Sequence, residues 1–317
     1  SRMEAKRSEN LLAVIEPAQA NSSPVRPRPT LNGILAGVVG AILALGFILM
    51  FDLFDDRLKS VDDLSEILEA AALGSINRLP GKNYEKQLID VKQPFSPLQE
   101  TYRLIRSNIQ FTLNEASAQS MMVTSPTQGE GKSLTVANLG IVLAQAGFRT
   151  IIVDADMRRP NQHQIFQLSP AGGLAQALHS PELPIRSQLM KTKVNNLFLL
   201  PCRYSPPNPS ELLASARMGE ILEELKASFD FVICDSPATL PVTDSSILSR
   251  MVDGTVLVVE AGKKRRSPAK QAALRLRNAG ANIIGVILNR APSADAYIQQ
   301  DYYTTSADYA STKRVNT

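Results

Sequence analysis

The stretch 121–138, MMVTSPTQGEGKSLTVAN, constrains this chain more than any other. A short apolar run, Met121-Met122-Val123, enters a turn at Gly129-Glu130-Gly131. The chain leaves through Lys132-Ser133 into Leu134, Val136, Leu139, Ile141, Val142 and Leu143 at helical spacing. The pattern predicts a strand, a phosphate-binding loop and a helix in direct succession. Glycines let successive backbone N–H groups turn inward around phosphate oxygens, the new helix aims its positive end at them, and Lys132 reaches the β- and γ-phosphates. Ser133 supplies the hydroxyl that Mg²⁺ takes as a ligand. Gly129, Glu130, Gly131, Lys132, Ser133 and Leu134 are thus the expected nucleotide contacts. The strict spacing G-x-x-x-x-G-K-[ST] is not met, because its first glycine would fall at Pro126.

Two later stretches strengthen the reading. TIIVDADMRRP (150–160) is an apolar strand ending in Asp154 and Asp156, followed by arginines, and FDFVICDSP (229–237) ends in Asp235 before a chain-breaking proline. A single strand-end aspartate is ordinarily a cap or a solvated end. Three of them, each after an apolar strand and on the edge that holds a phosphate loop, point to a Mg·nucleotide site with Ser133, Asp154, Asp156 and Asp235 as metal ligands, directly or through water.

From residue 121 onward the pattern alternates. Strands are expected at 121–124, 150–154, 197–200, 229–235, 254–260 and 282–288. Helices are expected near 132–146, 210–227 (capped by Ser210), 243–250 and 268–279. The class is α/β, with a doubly wound, mostly parallel sheet and its ligand at the carboxyl edge. Asn289, at the end of the last strand, is placed to meet an adenine edge. The run Lys263-Lys264-Arg265-Arg266 reads first as a solvated loop and second as a phosphate- or lipid-facing patch.

The N-terminal part is different. Residues 1–30 include Pro17, Pro24, Pro27 and Pro29, which give an extended lead-in. Residues 31–51 form 21 residues without a charge, enough at about 1.5 Å per residue to cross a hydrocarbon core of about 30 Å. Charges flank both ends nearly equally, so they do not orient the span. A nucleotide loop lying C-terminal to the span does: that side must be cytosolic, in the plasma (inner) membrane. Because the chain begins at Ser1, it reads as part of a longer protein.

Residues 52–95 read as a juxtamembrane amphipathic helix (Val61, Leu64, Ile67, Leu68) and a linker with short elements. A helix capped by Ser96 follows over 97–113, with Glu100, Arg103 and Arg106 along one side and Leu104, Ile105, Ile109 and Phe111 available to the core. The nucleotide domain is expected over 96–290. The tail 291–317 has no apolar periodicity, yet holds four of the seven tyrosines, Tyr297, Tyr302, Tyr303 and Tyr309, and phosphorylation would give that cluster a purpose. Net charge is +4 and does not call for nucleic acid. The two cysteines, Cys202 and Cys234, lack the spacing of a zinc or iron–sulfur site, and the two histidines read as surface residues.

The set SPTQGEGKS, IIVDADMRRP, FVICDSP and ETYRLIRSNIQF, with the Tyr-rich tail, resembles the bacterial tyrosine kinases, the cytoplasmic halves of polysaccharide co-polymerases. The resemblance implies a P-loop NTPase with deviant Walker motifs. It makes Lys132 the Walker A lysine, Asp154 and Asp156 the Walker A′ pair with Asp154 helping to deprotonate the incoming tyrosine, and Asp235 the Walker B carboxylate. Glu100, Arg103 and Arg106 become a docking motif for the neighbour in a homo-oligomeric ring, and Tyr297, Tyr302, Tyr303 and Tyr309 phosphoacceptors in trans. The implied cofactors are ATP and Mg²⁺. The implied partners are polysaccharide polymerisation and export machinery, a phosphotyrosine phosphatase and membrane lipid. Residues 1–30 become the end of a chain-length-determinant module outside the cytoplasm. Ser236-Pro237-Ala238 stands where the family often has Pro-Pro. Two other readings compete: an ATP-binding scaffold without relevant phosphorylation, and a membrane-positioning deviant-Walker ATPase. The second is disfavoured because Thr124-Ser125-Pro126 lacks that group's signature lysine.

Overall fold

The computed structural model describes residues 28–53, 60–79, 81, 84–90, 96–114, 118–262 and 266–292. The Pro-rich lead-in 1–27, Lys263 to Arg265 and the four tail tyrosines lie outside the described residues. The chain divides into two units, 1–55 and 56–317. The first contains helix α1 (Pro29–Leu53), whose stretch Pro29–Ile48 has a mean hydropathy of 2.2 and no buried residue. By length and composition it can cross a membrane.

The second unit runs α2 (Val61–Leu68), β1 (Ala72–Asn77), α3 (Tyr84–Gln87), α4 (Pro97–Asn114), β2 (Ser120–Thr124), α5 (Lys132–Gln145), β3 (Thr150–Asp154), α6 (Gln162–Ile165), α7 (Leu174–His179), β4 (Met190–Lys191), β5 (Leu197–Leu200), α8 (Pro209–Leu213), α9 (Ala216–Lys226), β6 (Phe231–Asp235), α10 (Asp244–Leu248), β7 (Gly254–Glu260), α11 (Arg266–Asn278) and β8 (Ile283–Ala291). The eight strands form one sheet in the order β1-β8-β7-β2-β6-β3-β5-β4, parallel except for the β4–β5 pair. Every residue of β2, β3, β6 and β7 is buried, as expected for central parallel strands covered by helices on both faces.

Four features depart from the sequence expectation. Residues 72–77, read as the end of a helix and a linker, form an edge strand parallel to β8. Leu73 and Ile76 are buried against α4, and Leu64 and Leu68 of α2 close the opposite face. The strand is short and contains glycine and serine, so its own pattern is too weak to announce it. The helix expected at 210–227 is broken into α8 and α9. Ser215 caps α9 by accepting from Met218 N, whereas Ser210 donates to Asp244 Oδ1 at 2.5 Å and caps nothing. On α4 the core face is Tyr102, Ile105, Ile109 and Leu113. Leu104 and Phe111 point to solvent, because they sit roughly 100–120° around the helix from Ile105. Finally, His163 is half-buried rather than superficial, and burial lowers its pKa.

Asp253 fastens the strand that leads into the phosphate loop. Its Oδ2 accepts from Gln119 N, Ser120 N and Ser120 Oγ at 2.8–2.9 Å. Burial works to raise its pKa, but these hydrogen bonds and Lys226 outweigh it and hold the carboxyl below the ordinary range. A depressed folded-state pKa gives stability that is fully present above the unfolded value of about 4 and is lost as pH falls through the folded one. Asp253→Asn should therefore lower the melting temperature at pH 7, with the gap to wild type closing below about pH 4 in thermal scans across pH. Leu73→Ala should cost about 2–5 kcal/mol in chemical denaturation. A linker residue would cost less than about 0.5 kcal/mol.

Candidate nucleotide site

β2 and β6 are neighbours in the sheet, and the connection from β2 runs on to β3 whereas that from β6 runs back to β7, so the two leave in opposite directions and open a crevice at the carboxyl ends of this pair. Register aligns the chemistry along that edge: Asp235 lies beside Val123 and Asp154, and Glu260 beside Asn289. The loop 125–131 rises from β2 here and feeds α5, whose N-cap Gly131 has φ 91°.

Lys132 is the centre. Its ammonium donates to Asp156 Oδ2 at 2.7 Å, to Asp235 Oδ1 at 3.3 Å and to Ser133 Oγ at 3.2 Å. Burial disfavours the ammonium, but the charges of Asp235 and Asp156 more than compensate and hold its pKa above the ordinary lysine value. Asp154 is fully enclosed, its Oδ2 accepting from Asn161 N and Gln162 N at 3.0 Å while its Oδ1 is buried without a partner. Burial, and after it the charge of Asp235, pushes its carboxyl well above the usual range.

A cavity of about 540 Å³ opens over the loop, lined by Gly129, Gly131, Lys132, Ser133, Leu134 and Asp156 among others. Most of the expected contacts therefore meet it, and four do not. Asp154, expected to take the tyrosine proton, is sealed beneath, so Asp156 is the carboxylate that faces the cavity. Asp235 is likewise buried, held by Lys132 and by Gln162 Nε2 at 2.7 Å. The Glu130 side chain turns inward: Oε1 accepts from Thr127 N and Oγ1, and Oε2 from Glu260 N at 2.9 Å. Asn289, expected at an adenine edge, donates to Glu130 O at 2.7 Å and accepts from Arg290 N. Both residues brace the loop.

Sequence reasoning missed three participants. Gln162 ties Asp235 to Ser133 O, and nothing in its identity or spacing signals this. Arg158 is clamped by the wholly buried Asp244 at 2.8 and 3.0 Å, and the arginine after Asp156 was the only hint. Tyr84 lines the cavity from a segment read as linker. Glu100 and Arg103 pair with each other, while Arg106, expected on the same side, turns to donate to Val142 O near the end of α5. Burial pushes both thiols, Cys202 and Cys234, up to about 12, which leaves them inert.

An AAA domain model matches residues 118–265. Over 200 residues the chain is 39% identical to the putative tyrosine-protein kinase CapB of Staphylococcus aureus, covering 63% of this chain and 87% of that one. This chain belongs to the bacterial tyrosine kinases. The crystal structure of the chimerical protein CapA2B2 superposes with a TM-score of 0.68 at 36% identity, covering 74% of this kinase and all of that chain. The tyrosine-protein kinase etk of Escherichia coli is 28% identical over 306 residues, 90% of this kinase but only 42% of etk. The fold of this kinase is accordingly of a nucleotide-binding kind.

Gly131 has the tightest requirement in the loop. A Cβ there would lie 2.1 Å from Asn289 Nδ2 in addition to the strain of positive φ, whereas at Gly129 (φ 83°) nothing lies within 4 Å. Left-handed backbone alone costs on the order of 1–3 kcal/mol in an ordinary residue. Gly131→Ala should thus weaken ATP binding at least about 100-fold and Gly129→Ala roughly 10-fold, as read by titration with a fluorescent ATP analogue.

Proposed function

We propose that this kinase transfers the γ-phosphoryl group of Mg·ATP to tyrosines of its own tail, Tyr297, Tyr302, Tyr303 and Tyr309, in trans within a homo-oligomeric ring. The observation that carries this reading is the buried Lys132 ammonium set between Asp156 and Asp235 at the floor of the phosphate-loop cavity. Phosphoryl transfer needs little covalent chemistry from the protein. It needs positioning and charge neutralisation, which this arrangement can supply.

The residues present suit Mg²⁺. The donors are all oxygens, Ser133 Oγ and the carboxylates of Asp154, Asp156 and Asp235, and Asp154 Oδ1 is a buried acceptor left without a partner. Among the described residues no three acidic, histidine or cysteine side chains close into a metal cage. Mg²⁺ ordinarily keeps waters and takes substrate phosphate as ligand, so it does not need a cage of three side chains. When bound, the ion neutralises charge developing on the phosphoryl oxygens. Lys132 orients the β- and γ-phosphates, the loop N–H groups cradle them, and Asp156 faces the cavity to receive the phenol proton.

In this reading α1 anchors the protein in the plasma membrane with the kinase domain cytoplasmic. The partly exposed Glu100 and Arg103 exchange their mutual pair for contacts with a neighbouring copy. Tail phosphorylation, reversed by a phosphatase, adds about −1.5 to −2 charges per tyrosine, loosens the ring and so regulates capsule or exopolysaccharide chain length and export. Intact Lys132, Asp154, Asp156 and Asp235 favour this over an ATP-binding scaffold.

The test is phosphotyrosine on the full chain, in detergent, after Mg·ATP. Lys132→Met should reduce the rate at least about 10²–10³-fold. Changing the four tail tyrosines to Phe should remove most of the signal. A wild type that binds ATP yet never acquires phosphotyrosine, even after prior dephosphorylation, would sink the kinase reading.

A further inference from the structure

A cleft of about 710 Å³ opens on the edge of the sheet opposite the phosphate loop, where Arg149 precedes β3 and Phe229 precedes β6. Its floor is apolar and aromatic: Phe198 and Phe229 meet edge to face with ring centroids 5.3 Å apart, beside the buried Ile185. Its rim is cationic. Arg149, Arg186 and Lys191 line it, all three exposed, and none has a carboxylate partner among the described residues. Glu224, the one acid among the described lining residues, is already paired with Arg217 at 2.9 Å. The Arg149 guanidinium lies 5.5 Å from the centre of the Phe229 ring, and its backbone N–H donates to Asp230 Oδ2 at 2.7 Å, so this cation is set in place over the aromatic floor. Such a cleft suits an anion carried on an aromatic body.

We propose that the cleft docks this chain's own tail, residues 293–312, in its tyrosine-phosphorylated form; this rests on the phosphorylation reading above. The segment holds Asp295, Asp301 and Asp308 together with the four tail tyrosines, and no lysine or arginine. It is thus acidic and aromatic where the cleft is basic and aromatic, and each phosphate adds about −1.5 to −2 charges. The phosphotyrosine ring packs on Phe198 and Phe229 while its phosphate takes charge-assisted hydrogen bonds from the arginines. The length of the tail is sufficient. From β8 to the strands that carry the cleft is four to five strand intervals, about 19–24 Å, with about 17 Å more along a strand to the other edge. Tyr309 stands 17 residues beyond Pro292, about 56 Å of extended chain. A tail docked here is drawn away from the phosphate-loop cavity on the opposite edge, so the product leaves the site that makes it.

The experiment uses the full chain in detergent with its four tail tyrosines changed to Phe, so that its tail presents no phosphotyrosine of its own. Fluorescent synthetic peptides of residues 293–312, unphosphorylated or phosphorylated at one of the four tyrosines, are titrated by anisotropy. At least one phosphopeptide should bind at least about 10-fold tighter than the unphosphorylated peptide. Arg149→Gln, Arg186→Gln and Lys191→Gln together should abolish that gap while leaving the affinity for a fluorescent ATP analogue unchanged. Equal affinity for both peptide forms, a gap that survives the triple variant, or displacement of the peptide by the ATP analogue would overturn the proposal. Displacement by inorganic phosphate or glycerol 3-phosphate as readily as by O-phosphotyrosine would make the cleft a general anion or lipid-headgroup site and end it too. Because the phosphate on the peptides is synthetic, the two readings fail separately: a chain that binds the phosphopeptide yet never phosphorylates itself keeps this site and loses the kinase reading.

Discussion

The structure depends on one buried cation. Lys132 sits among Asp154, Asp156 and Asp235, and none of these carboxylates has much access to water. Removing one partner from such a buried set costs about 3–5 kcal/mol, because the remaining charge has nothing to replace its solvent. Three acids against one ammonium leave excess negative charge even so. The fold answers with dipoles: two backbone N–H groups on Asp154, the N–H of Arg159 on Asp156, and the Gln162 amide on Asp235. The short α6 and the turn before it exist largely to aim those groups. The raised pKa of Asp154 marks where the compensation stops short.

A second constraint keeps the loop open. Glycine-rich backbone is floppy by itself, and N–H groups that must all point at one ligand lose entropy when ordered. Here the ordering is supplied in advance. The Glu130 carboxylate ties Thr127 to the end of β7, and Asn289 at the end of β8 holds the Glu130 carbonyl. Two strands on one side of β2 thus fix the loop, while β6 and β3 on the other side provide the acids. Apolar burial along β2, β3, β6 and β7 makes both halves rigid.

This division explains what could be read in the sequence. Lys132, Ser133 and the strand-end aspartates announce themselves because each follows an apolar run of strand length, and the order of such runs implies the parallel sheet. The side chains of Asn289 and Glu130 brace the loop from within, since sequence position fixes which edge a side chain reaches and not which way it turns. Asp154, the member of the Asp154/Asp156 pair expected to take the tyrosine proton, is buried, and Asp156 faces the cavity. β1 was lost because a six-residue edge strand containing glycine and serine has no periodicity to detect. Leu104 and Phe111 were placed in the core by composition, when helical angle decides.

The resting arrangement also limits how the site can work. An ammonium donating at 2.7 Å to a buried carboxylate is not free to reach a phosphate. It can turn only if Asp156 and Asp235 gain another cation and the ammonium gains another anion, since either exchange alone would leave a buried charge unpaired. Under the Mg·ATP reading proposed above, metal and nucleotide phosphate would satisfy both demands by arriving together, and neither would do so singly. On that reading the buried pairing would couple the two ligands and disfavour half-assembled states.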